Sequence, residues 1–297
     1  MNEVNMIICS LGHSDQLARS LAKLLRAAYS RIAVSHFPDG DIYLKYNCNV
    51  KGKTVILINS FQPEPNWALY ASVFAAETAK DLGAQKVVLV APYLAFMRQD
   101  KRFKTGEAVS SRIMAKLLSN CIDKIITLDA HLHRYRSLKE LFKIPAVNLT
   151  ANSLIASYIK KTVSQPLLMG PDWESSQWAR SIAEQIGAES AVLEKTRHSY
   201  RKVTVKLREK ITFKNKNVVI VDDIISTGST IIEAAKTAKR LGAKSVLALA
   251  VHGVFVEDAY KKLKKAASKI VTTNTIRHNS NKIDITSLLV NELKKKF

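Results

Sequence analysis

Apolar and polar positions follow the same order in two parts of the chain. The first part has the apolar run Val55–Ile58, an alanine-rich segment and a second run, Val87–Leu89; the second part has Val218–Val221, a helical stretch and Val246–Leu247. Short runs rich in β-branched residues predict strands that are buried on both faces. In each part the helical stretch stops at a glycine, the usual residue after a helix. The pattern therefore predicts a strand, a helix and a parallel strand twice over, with a parallel sheet in each half.

Hydrophobic spacing predicts further elements around these two repeats. Residues 5–10 and 124–129 read as strands, and residues 167–172 read as a strand that runs into a turn. Apolar residues at helical spacing predict one helix around 17–25 and another that ends at Gly187. We therefore expect an α/β chain of two tandem domains, residues 1–147 and 148–286, followed by a terminal helix, 287–297, that can return to the first domain.

Composition is consistent with a folded chain of this kind. It has 297 residues, of which 47% are hydrophobic, enough for two α/β domains. No apolar run approaches the length that spans a bilayer, and the run 6–9 lacks the basic segment of a signal peptide. We therefore expect a cytoplasmic protein with no membrane partner. Cys9, Cys48 and Cys121 share no CxxC spacing and predict neither disulfides nor a zinc site.

The net charge of +21 attracts polyanions of any kind. Lysine runs such as 261–265 and 294–296 hold much of the excess, and we interpret them as solvated helix faces. The chain shows no RNP motif and no helix-turn-helix signature. Phosphorylated metabolites are therefore the stronger candidate partners, and nucleic acid is the weaker one.

The two repeats differ where ligands bind in open α/β sheets, at the carboxyl ends of the strands. The first repeat has Asn-Ser-Phe-Gln-Pro-Glu-Pro at 59–65, whereas the second has Asp-Asp-Ile-Ile-Ser-Thr-Gly-Ser-Thr at 222–230. Four hydroxyls, a glycine and a following helix N-terminus suit a phosphate. Asp222 and Asp223 can accept hydrogen bonds from a sugar diol. The segment predicts a ribose 5-phosphate site in the second half only; the alternative is a serine-rich helix cap with two solvent-facing aspartates.

The segment Val221–Thr230 resembles the phosphoribosyl-binding loop of the type I phosphoribosyltransferase fold. That loop leaves two functions open, a transferase that consumes phosphoribosyl pyrophosphate and a synthetase that makes it. The resemblance implies two phosphoribosyltransferase-like domains with mostly parallel sheets. It also implies a ribose 5-phosphate site at Asp222, Asp223, Ser226, Thr227, Gly228, Ser229 and Thr230.

Other segments resemble the ribose-phosphate pyrophosphokinase family. Residues 37–41, Phe-Pro-Asp-Gly-Asp, are similar to its F-x-D-G-E segment, and residues 92–100 are similar to its P-Y-x-x-x-x-R-Q-D segment. An Asp-Gly hairpin turn also explains the first, and a basic surface loop the second. Residues 102–111 lack periodicity and suggest a mobile flap. The resemblance implies ATP binding by Phe37, Asp39, Gly40, Asp41, Arg98 and Gln99.

Three shorter motifs imply the metal and catalytic residues. Asp129-Ala130-His131 is similar to the family's D-L-H, and Pro171-Asp172 to its P-D, which implies Mg²⁺ at His131 and Asp172. Chemistry alone indicates a hydrogen-bonding or acid–base histidine, because Mg²⁺ prefers oxygen. Residues 194–197 resemble the family's K-x-R strand, which implies catalysis by Lys195 and Arg197. Alternate residues of a strand share a face, so both cations can clamp a phosphoryl group.

Two positions depart from the family pattern. Ser226 stands where many bacterial members have aspartate, and Trp173-Glu174 stands where the family has small residues in a pyrophosphate-contacting loop. The motifs nevertheless appear in the family's order along almost the whole chain. We expect a ribose-phosphate diphosphokinase that uses MgATP and ribose 5-phosphate and forms a homo-oligomer, at least a dimer. A phosphoribosyltransferase and a non-catalytic regulatory homologue remain alternatives.

Overall fold

The protein divides into two compact units. The structure, a computed structural model, describes residues 5–199, 202–207 and 211–295, and it describes their side chains except at 174, 193–199 and 202–207. The first unit extends to Thr150 and includes Thr275–Arg277 and the chain from Thr286 onward. The second unit comprises Ala151–Asn274 and His278–Ile285. The domain limits predicted at 147/148 and 286/287 stay predictions.

The first unit is built on a six-stranded parallel sheet. The strands of the whole unit, including two that lie outside this sheet, are β1 (Met6–Ser10), β2 (Ala28–Arg31), β3 (Ala33–His36), β4 (Ile42–Lys45), β5 (Thr54–Ile58), β6 (Lys86–Ala91), β7 (Lys124–Leu128) and β8 (Ala146–Leu149). Its helices are α1 (Asp15–Leu25), α2 (Pro65–Asp81) and α3 (Ser110–Cys121), with a 3-10 turn at Leu138–Glu140. The sheet order is β2-β1-β5-β6-β7-β8, and every pair is parallel. Strands β3 and β4 form a separate antiparallel hairpin.

The second unit repeats this architecture. Its helices are α4 (Asn152–Thr162), α5 (Trp173–Ile186), α6 (Ser229–Arg240) and α7 (Ala259–Ala266). Its strands are β9 (Pro166–Met169), β10 (Glu189–Ala191), β11 (Leu193–Ser199), β12 (Lys202–Leu207), β13 (Asn217–Ile225), β14 (Ser245–Gly253), β15 (Lys269–Thr273) and β16 (Asn281–Ile283). The parallel sheet has the order β10-β9-β13-β14-β15-β16, and β11 and β12 form an antiparallel hairpin.

The two units share one topology. Counted along the chain, the sheet strands of each unit lie in the order 2-1-3-4-5-6, and each hairpin follows the second sheet strand. The predicted duplication and the predicted parallel sheet in each half are confirmed. In this topology the strand order reverses between β9 and β13, where ligands of open α/β sheets bind at the carboxyl ends.

Alanines allow the helices to pack closely on the sheets. Ala71, Ala75 and Ala79 of α2 are fully buried, and Ala235 and Ala238 of α6 are their counterparts in the second unit. The terminal helix α8 (Thr286–Leu293) belongs to the first unit. None of the helices in the described residues has the length and apolar character that crossing a membrane requires.

Candidate active site

The acidic pair of the second unit lies within a strand. Strand β13 continues to Ile225, and Asp222, Ile224 and Ile225 are still in register with β14. The apolar run that predicts this strand ends at Val221, so the strand continues four residues beyond its hydrophobic pattern. The continued backbone pairing with β14 keeps these residues extended. The irregular turn is only Ser226–Gly228.

Asp222 is a buried carboxylate, with 8% of its surface exposed. The Ser175 hydroxyl donates a 2.8 Å hydrogen bond to its Oδ1, and the backbone N–H of Asp223 donates another at 3.0 Å. Burial raises the pKa of Asp222 well above its usual value, and the negative charges of Asp223 and Asp172 raise it further. The site therefore concentrates negative charge that sugar hydroxyls or a cation can stabilise.

The turn after β13 exposes hydrogen-bond donors at a helix N-terminus. Gly228 has φ of +72° and caps α6, which begins at Ser229. The Thr227 and Ser229 hydroxyls lie 3.1 Å apart. Within the described part of the chain, the backbone N–H groups of Thr227 and Gly228 have no protein partner. Free N–H groups, hydroxyls and the helix dipole make this turn suitable for a phosphate.

In the first unit, the three residues that directly follow β5 have their backbone N–H groups bonded. The N–H of Asn59 donates to Val90 O at 3.0 Å, that of Ser60 to Ser14 Oγ at 2.9 Å, and that of Phe61 to Tyr93 O at 3.0 Å. An anion would have to displace these internal bonds. The phosphate site in the second unit only therefore stays a prediction of the sequence, and the free N–H groups of Thr227 and Gly228 agree with it.

Asp172 follows β9 and caps helix α5. Its Oδ1 accepts the Ser175 N–H at 2.9 Å, and its backbone O accepts the Ser176 hydroxyl at 2.6 Å. The expected loop at Trp173–Ser176 is instead the first turn of α5, so that expectation is wrong. The Asp172 cap satisfies a backbone donor at that helix end and so favours a helical turn there.

The predicted catalytic cations lie on β11. Backbone pairing places Lys195 opposite Val205 and Arg197 opposite Val203 of β12. The side chains of Lys195 and Arg197 lie outside the described residues. Their catalytic role therefore stays a prediction of the sequence.

The Phe37 segment of the first unit is the turn of the β3–β4 hairpin. The Phe37 N–H donates to Asp41 O at 2.8 Å, and the Asp41 N–H donates to Asp39 Oδ1 at 3.2 Å. Gly40 has φ of +97°, which favours glycine. Phe37 contacts the edge of Tyr43, yet 51% of its surface is exposed. The segment therefore is a hairpin turn, and it also carries an exposed aromatic ring.

The Arg98 segment is held in place by the residue that follows it. Asp100 is buried and pairs with Arg134 Nη1 at 3.2 Å, and the Tyr135 hydroxyl donates to Asp100 O at 3.0 Å. Arg98 is exposed, and Gln99 Oε1 accepts a hydrogen bond from the Ser110 hydroxyl. Asp100, Arg134 and Tyr135 fix the segment, and none of the three has a predicted role.

His131 lies just after β7 and stacks on His133, with ring centroids 3.6 Å apart. Asp129 has φ of +35°, and the Ala130 N–H donates to Asn148 Oδ1 at 2.9 Å, which holds this bend against β8. His131 belongs to the first unit and Asp172 to the second. Their joint magnesium role stays a prediction.

Fold and site together define an α/β protein of the phosphoribosyltransferase class. The profile described as the N-terminal domain of ribose phosphate pyrophosphokinase matches residues 6–121, and the phosphoribosyl transferase domain matches residues 137–287. The ribose-phosphate pyrophosphokinase of Methanothermobacter thermautotrophicus is 34% identical over 97% of this chain and 100% of its own length. That of Saccharolobus solfataricus is 35% identical over 94% and 96%.

A solved structure agrees with these relatives. The phosphoribosylpyrophosphate synthetase of Mycobacterium smegmatis superimposes with a TM-score of 0.86 at 26% identity, covering 98% of both chains. The chain belongs to the ribose-phosphate pyrophosphokinase family. The expected fold class, family and enzymatic character are confirmed.

Proposed function

We propose that this chain transfers the β,γ-diphosphoryl group of MgATP to the 1-hydroxyl of ribose 5-phosphate, which gives phosphoribosyl pyrophosphate and AMP. The observation that carries this proposal is the end of β13, where buried Asp222 and half-buried Asp223 precede a turn with free N–H donors. This arrangement suits a sugar diol on one side and a phosphate on the other. Membership of the pyrophosphokinase family supports the same reaction.

The sugar phosphate is held by two kinds of group. The hydroxyls of ribose donate hydrogen bonds to Asp222 and Asp223, and Asp222 keeps Oδ2 for this purpose because its Oδ1 already accepts two bonds. The N–H groups of Thr227 and Gly228 donate to the 5-phosphate, together with the nearby hydroxyls. A charged acceptor and an oriented helix end both bind more strongly than neutral side chains would.

ATP is bound by residues of the first unit in this proposal. The exposed Phe37 ring offers a stacking surface for the base, and Arg98 offers an exposed guanidinium for phosphate oxygens. Lys195 and Arg197 neutralise the charge that develops on the transferred group. The 1-hydroxyl oxygen attacks the β-phosphorus, the bond from that phosphorus to the α,β-bridging oxygen breaks, and AMP leaves.

The carboxylates of the second unit fit a magnesium ion. Mg²⁺ prefers oxygen ligands, and Asp172 lies close enough to Asp222 for its charge to raise the pKa of Asp222. Asp172 would be a ligand together with His131, the less usual of the two for this ion. When bound, magnesium neutralises charge on the triphosphate. Apart from this ion, every group that binds and orients the substrates is a side chain or a backbone N–H of the protein.

We also propose a homodimer as the smallest assembly. Large apolar side chains are exposed on elements of the first unit, on the β3–β4 hairpin and on helices α2 and α3. They are Phe37, Tyr43, Tyr70, Phe74, Ile113 and Leu117. Exposed apolar surface of this kind is typical of subunit contacts. Light scattering of the purified protein measures the mass directly.

The products of the reaction test the proposed function. With ribose 5-phosphate, ATP and magnesium, we expect one AMP per phosphoribosyl pyrophosphate, because the phosphate turn is used for the sugar and not for the γ-phosphate of ATP. Ion-exchange chromatography of a time course separates AMP from ADP. ADP formed in step with sugar consumption would show an ordinary sugar kinase. Absence of turnover with intact substrate binding would favour a regulatory homologue.

Asp222→Asn combined with Asp223→Asn tests the sugar site. Each carboxylate that accepts a sugar hydroxyl contributes about 1.5–3 kcal/mol, so ribose 5-phosphate affinity should fall by at least about tenfold while ATP affinity is kept. Isothermal titration calorimetry measures both. Unchanged sugar affinity would show that the pair has only a structural role.

The single variant Asp222→Asn separates binding from stability. Because the folded-state pKa of Asp222 is raised, its contribution to stability is present below the unfolded pKa and is lost as pH rises through the folded pKa. Asparagine keeps the two bonds to Oδ1 without the charge. Near neutral pH the free energy of unfolding of the variant, measured by urea denaturation, should therefore equal or exceed that of the parent. This difference should disappear in acid.

A further inference from the structure

The edge of the second sheet opposite the active site is strongly basic. All strands of this sheet are parallel, so the strands begin, and helices α6 and α7 end, at the same edge. Exposed cations meet there from two connections, the one between α6 and β14 and the one between α7 and β15. We call them the basic edge: Lys239, Arg240, Lys244, Lys264, Lys265 and Lys269. Among the ion pairs of the described residues, none includes any of these side chains.

Helix stability explains only part of this cluster. Cations in the last turn of a helix interact favourably with its dipole, which accounts for Lys239 and Arg240 on α6 and for Lys264 and Lys265 on α7. Lys244 and Lys269 lie outside both helices, and the reaction at the other edge uses none of the six. Their charge is therefore available for a partner.

Hydroxyl and amide groups lie among these cations. A cavity of about 190 Å³ at this edge is lined by apolar residues, among them Val163, Val218, Val246 and Leu247, and by polar ones, among them Ser164, Asn217, Ser245, Ser268 and Lys269. Asn217 Nδ2 donates to Ser164 O at 2.7 Å, and the Ser245 hydroxyl donates to Asn217 Oδ1 at 2.7 Å, so the connections are fixed relative to one another. Lys269 and the exposed Ser268 lie at this cavity, and lysine and serine side chains are among the usual ligands of a nucleic-acid backbone.

We propose that the basic edge binds single-stranded RNA. Helices end at this edge, so the surface presents no helix that would enter the major groove of a duplex. A membrane surface is less suitable, because Leu241 is the exposed large apolar side chain of the α6–β14 connection and an interfacial helix needs a whole apolar face. The exposed Ser268 hydroxyl can also hydrogen-bond the 2′-hydroxyl, which distinguishes RNA from DNA.

Two charge-reversal variants test this surface. The first is Lys239→Glu, Lys244→Glu, Lys264→Glu and Lys265→Glu; the control, with the same change in net charge, is Lys23→Glu, Lys86→Glu, Lys139→Glu and Lys143→Glu in the first unit. Binding of a labelled single-stranded RNA is measured by fluorescence anisotropy over a range of salt concentrations. We expect at least tenfold weaker binding for the first variant. The slope of log K against log salt concentration should also be smaller by about 3, because each of the four lost phosphate contacts contributes about 0.7 to it. The control should stay within a few-fold of the parent.

Further measurements identify the ligand and the surface that binds it. Saturating ribose 5-phosphate should not displace RNA, and both variants should keep their circular dichroism spectrum and AMP formation. If the charge-reversal variant does not fold, the Lys→Gln set at the same four positions replaces it, with the same expected direction. The proposal is overturned by equal weakening in the control, by displacement with ribose 5-phosphate, by equally tight binding of DNA of the same sequence, or by binding only to phosphatidylserine vesicles.

Discussion

Replacing Gly170 with alanine is expected to destabilise the second unit strongly and to lower activity with it. A Cβ at Gly170 would lie 2.2 Å from Ser176 N and 2.3 Å from Ser175 C, far inside ordinary contact distance. Both atoms belong to the backbone of the first turn of α5, so no side-chain rotation relieves the contact. Relief requires that α5 move away from β9. Overpacking of this kind costs about 1–3 kcal/mol and occasionally more, and a clash with backbone belongs at the upper end.

Gly187→Ala is the matched control for this substitution. Gly187 ends the same helix with φ of +67°, and a Cβ there would meet no atom within 4 Å. Alanine at Gly187 therefore costs only the backbone strain, about 1 kcal/mol. Urea unfolding followed by circular dichroism compares the two variants. Equal midpoints for Gly170→Ala and Gly187→Ala would show that α5 shifts without cost.

The displacement of α5 would also reach the sugar site. Asp172 caps this helix, and Ser175 in its first turn donates a hydrogen bond to buried Asp222. A carboxylate that loses such a bond in a buried position loses part of the stabilisation of its charged form. Partly folded Gly170→Ala protein should therefore bind ribose 5-phosphate less tightly than its loss of stability alone predicts.

The repeated units could be predicted from the sequence because their signal is local. A β-branched strand, an alanine-rich helix and a terminating glycine appear within about thirty residues of each other, the size of one βαβ unit. The acidic pair and the hydroxyl-rich turn are adjacent in sequence as well, so their shared site required no long-range contact. The strand end at Ile225 was missed because pairing with β14 extends a strand beyond its apolar run.

Contacts between distant segments could not be predicted in this way. Asp100 is fixed by Arg134, 34 residues away, and no periodic pattern connects them. The occupied donors of the first unit are a similar case, since Ser14 is 46 residues from Ser60. Such bonds depend on how the strands are ordered in the sheet. The clustering of lysines at the basic edge has the same origin, because separate helix ends meet there only in the folded chain.

The hairpins show how one topology supports two roles. In each unit an antiparallel hairpin follows the second sheet strand. The first hairpin has the Phe37–Asp41 segment at its turn, whereas the second has Lys195 and Arg197 within a strand. The predicted nucleotide-binding segment Phe37–Asp41 and the predicted catalytic residues therefore lie on equivalent insertions of a duplicated fold.

Lys195→Ala should lower kcat by about 10²–10³ and leave the affinity for ribose 5-phosphate nearly unchanged. Removal of one group that stabilises developing charge has an effect of this size. The proposed sugar site is built from β13, α5 and the turn before α6, so a substitution on β11 removes none of its hydrogen bonds. The loss should therefore appear in turnover and not in substrate binding.

Comparison with two further variants makes this prediction specific. Lys206→Ala removes a lysine from β12, whose backbone position is opposite Glu194, and should retain nearly full kcat. Lys195→Arg keeps the charge with a different shape and should recover part of the rate lost in the alanine variant. Single-turnover kinetics at saturating ATP and sugar measure the chemical step directly. A near-normal rate for Lys195→Ala, or an equal loss for Lys206→Ala, would remove Lys195 from the catalytic group and leave only a general effect of positive charge on this hairpin.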